Sequence, residues 1–132
     1  GRIPLKDFAA KKQDRDILVR LIVKKTAGCF AYAAVRNQST DFPVIACAAS
    51  CVGGEYRLAV GARPQKAMLL TVSEEQTEEI RKNGADAAAK IAEELAVQIP
   101  TQDNMRASAA YRTHLAKVLI RRALLTVTEE VQ

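Results

Sequence analysis

Among the side chains able to act as nucleophiles or metal ligands, this sequence holds three cysteines and one histidine, spaced in a way that suits neither role. Cys29, Cys47 and Cys51 contain no Cys-x-x-Cys pair, and an odd count gives no disulfide framework and no zinc site. An iron–sulfur cluster takes four ligands, which three cysteines do not supply. If Cys47 and Cys51 share a strand, their Cα atoms stand about 13 Å apart, too far to bridge. Reduced thiols, as in a cytoplasmic protein, are the expected state. His114 falls beside Lys117 on a polar helix face and is expected in solvent. Ser50 has no base near it in sequence. There is no G-x-x-x-x-G-K-[ST] to cradle a phosphate, and a hairpin explains Gly53-Gly54. What remains is arginine chemistry.

Arg36 and Asp41 flank a turn by composition, Asn37-Gln38-Ser39-Thr40. Their plain reading is an ion pair closing that turn. Arg112 and Arg122 lie in a long amphipathic stretch near the end of the chain. Placed on a helix at about 100° per residue, Tyr111, Leu115, Val118, Leu119 and Leu125 fill an apolar sector roughly 120° wide. Thr113, His114, Lys117 and Arg121 fall opposite. Arg122 lands inside the apolar sector and Arg112 at its edge. Desolvating an unpaired guanidinium costs several kcal/mol. Each arginine is therefore expected either to snorkel to the surface or to meet a carboxylate or carbonyl. Asp86, Glu93, Glu94 and Asp103 are the acids on offer.

The elements that position these residues follow from pattern and punctuation. Pro4 disfavours regular structure at the start. Ile17–Val23 is apolar and β-branched and reads as a strand, as do Phe30–Arg36 and the small apolar run Val44–Val52. Gly53-Gly54 turns the chain into a return strand over 55–61, ended by Pro64. Ser73 and Gln76 form a capping box, with Glu74 and Glu75 in the first turn. Asn83-Gly84 can end that helix, Gly84 adopting the left-handed region. A second helix then runs from about Ala85 to Val97, with Ala85, Ala88, Ile91, Ala92, Leu95 and Ile99 on one mostly small face, and Pro100 stops it. A single helix bent at Gly84 is the alternative. Strands first and helices after give an α+β fold. It is an antiparallel sheet of three to four strands, spanning 16–62, packed on a C-terminal bundle of two to three helices, spanning 73–127.

The 132 residues suffice for one domain with a core, and the 48% hydrophobic content is ordinary. No apolar run reaches about 18 residues, so no membrane span is expected. There is no signal-peptide pattern. The chain begins at Gly1 rather than Met, which leaves open both a piece of a longer chain and a natural short protein. The net charge is +5, but residues 73–104 carry eight acids against three bases, while 1–36 carry nine bases against three acids. Alternating blocks can neutralise one another, which argues against a coherent basic face for nucleic acid.

The run Asp103-x-x-Arg106-Ala107-Ser108-Ala109-Ala110-Tyr111-Arg112, continued by Leu119-Ile120-Arg121-Arg122-Ala123-Leu124, resembles a signature of one family. That family is the C-terminal domain of the FAD-binding flavoprotein subunit of molybdenum hydroxylases, the group of xanthine dehydrogenase and carbon monoxide dehydrogenase. The resemblance extends upstream. Pro4-Leu5-x-x-Phe8, a polar loop, an acid and an apolar strand come just before this domain in the family, with Asp16 where Glu is usual. The hairpin turn here is shorter than usual, and the usual Gly-Gly after its second strand is Gly61-Ala62.

The resemblance implies that 1–25 is the tail end of the preceding FAD-binding region and 26–132 the C-terminal domain. It implies that most of the FAD site lies before Gly1. It also implies that the turn of Arg36 and Asp41 lies beside the flavin ring. The family commonly has a Lys four residues before that Arg; Tyr32 stands there and can stack or donate a hydrogen bond instead. Tyr32, Arg36 and Asp41 are thus the implied cofactor-binding residues. Arg106, Ser108, Tyr111, Arg112 and Arg122 are the structural motif. The implied partners are the remainder of the FAD subunit and the molybdopterin-binding and iron–sulfur subunits or domains. The implied role is in a xanthine dehydrogenase-like oxidoreductase, helping to cover FAD and to assemble the electron-transfer complex. The isolated chain is expected to be inactive and to retain FAD poorly.

A second function class is a basic interaction module that binds nucleic acid or a partner protein through its last helix. Phe30 and Tyr32 are the only close aromatic pair, which argues against a base-stacking surface.

Overall fold

The computed structural model of the chain describes residues 1–12, 15 and 17–131. Its elements run α1 (Leu5–Ala10), β1 (Cys29–Val35), β2 (Ile45–Val52), β3 (Glu55–Gly61), β4 (Met68–Thr71), α2 (Glu74–Asn83), α3 (Ala85–Val97) and α4 (Ala109–Val131). The four strands form one antiparallel meander in the order β1-β2-β3-β4. The fold is α+β, with strands and helices segregated along the chain as expected.

Alternation sets the two faces of the sheet. Ile45, Cys47, Ala49 and Cys51 of β2 and Tyr56, Leu58 and Val60 of β3 are buried on one side. The helices cover that side: α4 crosses β1 and β2, α3 packs beside α4, and α2 packs on α3. Small residues on the facing helices (Ala87, Ala88, Ala92 and Ala96 on α3, Ala116 and Ala123 on α4) are buried with the larger Ile91, Leu95, Leu119 and Leu124. The opposite side of the sheet carries Phe30 and Tyr32 of β1 and Leu69 of β4, all exposed. Between them in register lie Ala46, Ala48 and Ala59.

Local chemistry explains the punctuation. Ser73 caps α2: its Oγ accepts the Gln76 N–H at 3.2 Å, and the Gln76 Oε1 accepts the Ser73 N–H at 3.1 Å. Gly84 has φ 56°, which only glycine adopts cheaply, and so separates α2 from α3. The bent single helix is thereby excluded. Gly53 and Gly54 have φ 61° and 85° and close the β2–β3 hairpin in two residues.

Several expectations do not hold. Ile17–Val23 forms no strand, and its apolar side chains are exposed, Val23 at 88%. A strand is stabilised by cross-strand pairs, and this segment joins no ladder, so β-branched composition alone does not make it one. The sheet therefore spans 29–71 rather than 16–62. Its last strand, β4, is only four residues long and too short to show a period. A short helix, α1, begins directly after Pro4, whose fixed φ suits a helix start, but it buries nothing. Asp16 lies outside the described residues.

The orientation of α4 also differs. Its buried stripe is Arg112, Leu115, Ala116, Leu119, Ile120, Ala123, Leu124, Val127 and Thr128. Tyr111 is 48% exposed, Arg122 is exposed, and Val118 and Leu125 are half-buried. A stripe centred on Tyr111 leaves out Ile120, Leu124 and Val127, which are fully buried, along with Ala116 and Ala123, and so turns the helix too far.

Candidate functional site

The polar residues of the chain converge where the β1–β2 connection meets the loop before α4. Val35 and Val44 close the connection, the Val44 N–H donating to the Val35 carbonyl at 2.7 Å. Within it the Asp41 N–H donates to the Gln38 carbonyl at 3.1 Å, and the Phe42 N–H to Asp41 Oδ1 at 2.7 Å. The loop before α4 is equally ordered by its own side chains. Asn104 Oδ1 accepts the Arg106 N–H at 2.9 Å, and Asn104 and Ala107 form an isolated antiparallel bridge. Ser108 caps α4, its Oγ accepting the Tyr111 N–H at 3.2 Å. Asp103 Oδ1 accepts the Ala109 N–H at 2.6 Å, a carboxylate at the positive end of a 23-residue helix.

Two arginines join these loops. Arg106 donates from Nη2 to Asp41 Oδ1 at 2.9 Å and from Nε to both carboxylate oxygens at 3.2 Å. Its guanidinium lies 5.5 Å from the centroid of the Phe42 ring. Its carbonyl accepts from Asn37 Nδ2 at 3.3 Å. The Arg106 hydrogen bond and the Phe42 N–H hold the Asp41 carboxyl below its ordinary pKa.

Arg112 is completely buried. It donates to the carbonyls of Val44 at 2.9 Å, Gln102 at 2.5 Å and Ala107 at 2.7 Å, and to Asn104 Oδ1 at 2.5 Å. All four acceptors are neutral. Burial lowers its pKa, the nearby charge of Asp103 offsets this, and Arg106 adds to it. At least one of the two arginines was expected to bond to a carboxylate or a helix-end carbonyl within the bundle; Arg112 is bonded instead to loop carbonyls, an amide and the carbonyl just before β2. The acids of α3 are spent elsewhere, Glu93 facing Lys117 at 3.9 Å and Glu94 accepting from Gln76 at 3.1 Å.

Of the residues singled out from sequence, Asp41, Arg106, Ser108 and Arg112 come together here. Asp41 pairs with Arg106 rather than with Arg36, so the turn is not closed by an Arg36–Asp41 ion pair. Arg36 follows β1 and is exposed, as is Tyr32 on the open side of the sheet. Tyr111 and Arg122 lie outside the cluster's interior. The roles of Asn37 and Asn104 had no sequence signal beyond their turn composition. Two shallow surface hollows lie elsewhere. One, over α2, is lined by Glu74, Glu75, Glu78, Glu79, Lys82 and Asn83. The other lies where 23–26 flanks Phe30, Ser50, Val52, Glu55 and Arg57. In the second, Glu55 is paired with Arg57 at 2.7 Å. Among the described residues no group of acids, thiols and histidine could hold a metal.

The family model for the CO dehydrogenase flavoprotein C-terminal domain matches residues 30–127. The chain belongs to this family. The match runs from β1 into α4 and takes in every residue of the clasped turn and the loop that holds it. Among solved structures, similar folds occur in quinoline 2-oxidoreductase from Pseudomonas putida 86, with TM-score 0.61 and 18% identity, covering 79% of this chain and 38% of that one. The Cu,Mo-CO dehydrogenase in its cyanide-inactivated form is also similar, with TM-score 0.61 and 20% identity, covering 81% of this chain and 39% of that one. The chain thus spans well under half the length of these structural neighbours. No curated protein sequence matches it. No described helix is long and apolar enough to cross a membrane.

The family implies a flavin, and the residues present fit one part of it. Tyr32, Arg36 and Phe42 offer exposed aromatic and cationic side chains that could flank a planar ring. The N-termini of α4 and α2 do not suit the phosphates. The N-terminus of α4 is already occupied by the Asp103 carboxylate, and that of α2 by Ser73 with Glu74 and Glu75.

Proposed function

We propose that this chain is the part of a molybdenum hydroxylase-type flavoprotein subunit that covers the FAD ring and helps to assemble the electron-transfer complex. The observation that carries the reading is the one-sided clasp on the 36–44 turn. Arg106 and Arg112 hold its inner side, while Arg36 and Phe42 stay open. Tyr32 and Arg36 contact the ring, and Asp41, neutralised by Arg106, sets the turn that presents them. FAD, when bound, supplies the electron transfer between an iron–sulfur centre and an external acceptor. The chain's own residues orient the ring and keep water from one side of it.

On this reading, residues 1–25 are the tail end of the preceding FAD-binding region and 26–132 form the C-terminal domain. The exposed Ile17–Val23 segment supports the division, because it joins no strand of the 29–71 sheet and packs on no core residue. The partners are the remainder of the FAD subunit and molybdopterin-binding and iron–sulfur subunits or domains, in a xanthine dehydrogenase-like oxidoreductase of the cytoplasm. The alternative, a basic module acting through the last helix, loses ground because Arg112 is buried and Lys117 faces Glu93.

Flavin titration tests the proposal. The chain alone should leave FAD fluorescence essentially unchanged, since acidic side chains already hold the N-termini of α2 and α4. Adding it to the preceding FAD-binding region should quench and retain the flavin, and Arg36→Ala should weaken that effect. Stoichiometric, micromolar binding by the chain alone would overturn the covering role.

A further inference from the structure

Cys29 and Cys51 stand directly opposite each other in the register of β1 and β2, and both belong to the helix-facing side of the sheet. We propose that these two thiols are a redox-active pair that a low-molecular-weight disulfide converts to an intramolecular Cys29–Cys51 disulfide. Residues opposed in an antiparallel ladder have Cα atoms about 4.5–5.5 Å apart. A disulfide spans about 4.4–6.8 Å between Cα atoms, which this register provides, and about 3.5–4.5 Å between Cβ atoms, which asks the β1 edge to close by about 1 Å. Gly28 reinforces the geometry. A Cβ there would lie 2.6 Å from the Cys51 carbonyl oxygen, so the entry to β1 is held tightly against residue 51.

The third thiol has no such opportunity. Cys47 is opposed by Ala33 on one side and Val60 on the other. It is 1% exposed, and burial pushes its pKa up to about 12.

Access sets the order of events. Cys29 is half-buried at the first residue of β1, whereas Cys51 is 4% exposed. The Cys29 thiolate attacks one sulfur of the small disulfide, forming a mixed disulfide and releasing one small thiolate. The Cys51 thiolate then attacks Cys29 Sγ, forming the protein disulfide and releasing the second. Two protein thiols lose two electrons, the small disulfide gains them, and the two thiol protons pass to the leaving thiolates. The product covalently closes residues 30–50, the hairpin that contains the clasped turn. In the reduced state β1 is an edge strand held on one side only.

Equilibration of the native chain with glutathione disulfide, followed by alkylation, digestion and mass spectrometry, tests this. The expected product has lost two hydrogens, contains a linked Cys29–Cys51 peptide and leaves Cys47 as a thiol. Its thermal midpoint should rise by on the order of 5–10 °C and return on reduction. Cys51→Ser should trap glutathione on Cys29. The proposal is overturned if the native chain keeps Cys29 and Cys51 as free thiols, stops at a mixed disulfide, or links either to Cys47.

Discussion

Replacing Arg112 by Met keeps an apolar stem of similar reach and removes every donor. The parent side chain is completely buried and satisfies four acceptors, the carbonyls of Val44, Gln102 and Ala107 and the Asn104 amide oxygen. Hydrogen bonds from a charged group contribute about 1.5–3 kcal/mol each, and they are not additive. Against them stands the cost of burying a guanidinium, several kcal/mol, which Met relieves. The acceptors cannot be relieved in the same way, because three of them are backbone carbonyls. The balance is a loss of about 3 kcal/mol, since each stranded neutral acceptor costs about 1–3 kcal/mol and relief of the buried charge offsets part of the sum. With a urea dependence of about 1.5 kcal/mol per molar for a chain this size, the midpoint should fall by about 2 M. Arg112→Lys should recover little, since an ammonium has no planar fork to reach acceptors both in the loop before α4 and at the entry to β2. Arg122→Met, on the exposed side of the same helix, should melt with the parent. Equal midpoints for Arg112→Met and the parent would show that the four bonds contribute nothing net. Equal losses at 112 and 122 would show that the helix is turned differently.

Two further outcomes follow from the same geometry. Asp41 has its folded pKa below the ordinary 3.8, so the stability from its pair with Arg106 is present above that value and is lost as pH falls through the lowered one. The midpoint difference between the parent and Asp41→Asn should therefore be full at neutral pH and should close in acid; a difference that stays constant down to acid unfolding would refute the pairing. Gly84→Ala should cost about 1 kcal/mol in urea melts, from the positive φ alone, because nothing lies within 4 Å of the new Cβ. A neutral or stabilising effect there would mean that α2 and α3 can fuse.

What was legible in the sequence was whatever is decided within a few residues. Ser73 with Gln76, the Gly53-Gly54 hairpin and Gly84 read correctly, because caps and tight turns are local; the α3 face holds at Ala88, Ile91, Ala92 and Leu95, while Ala85 is exposed and Ala87 and Ala96 are buried instead. The strands at 29–35, 45–52 and 55–61 read correctly because each has a neighbour one turn away. Ile17–Val23 read as a strand on composition, yet its ladder would have to come from elsewhere. The rotation of α4 was missed because the stripe was drawn from Tyr111, which is half-exposed, so that the buried Ile120, Leu124 and Val127 fell outside it. The clasp itself was half legible. Asp41 and Arg106 were each singled out, but they lie 65 positions apart, and only the fold makes them partners. The Cys29–Cys51 pairing is likewise a matter of register, invisible to spacing.

The exposed Ile17–Val23 stretch also bears on how the chain behaves in a tube. Seven residues, six of them apolar and mostly β-branched, are the composition of segments that stack into cross-β ladders when many copies meet. The meander adds two open edges, β1 and β4, onto which such a segment can register. Arg20 is the one charge in the stretch, and it is exposed among its apolar neighbours. It acts as the gatekeeper, repelling a second copy of itself in a parallel, in-register stack. Because that repulsion is screened by salt, the chain on its own keeps its solubility best at low ionic strength and low concentration.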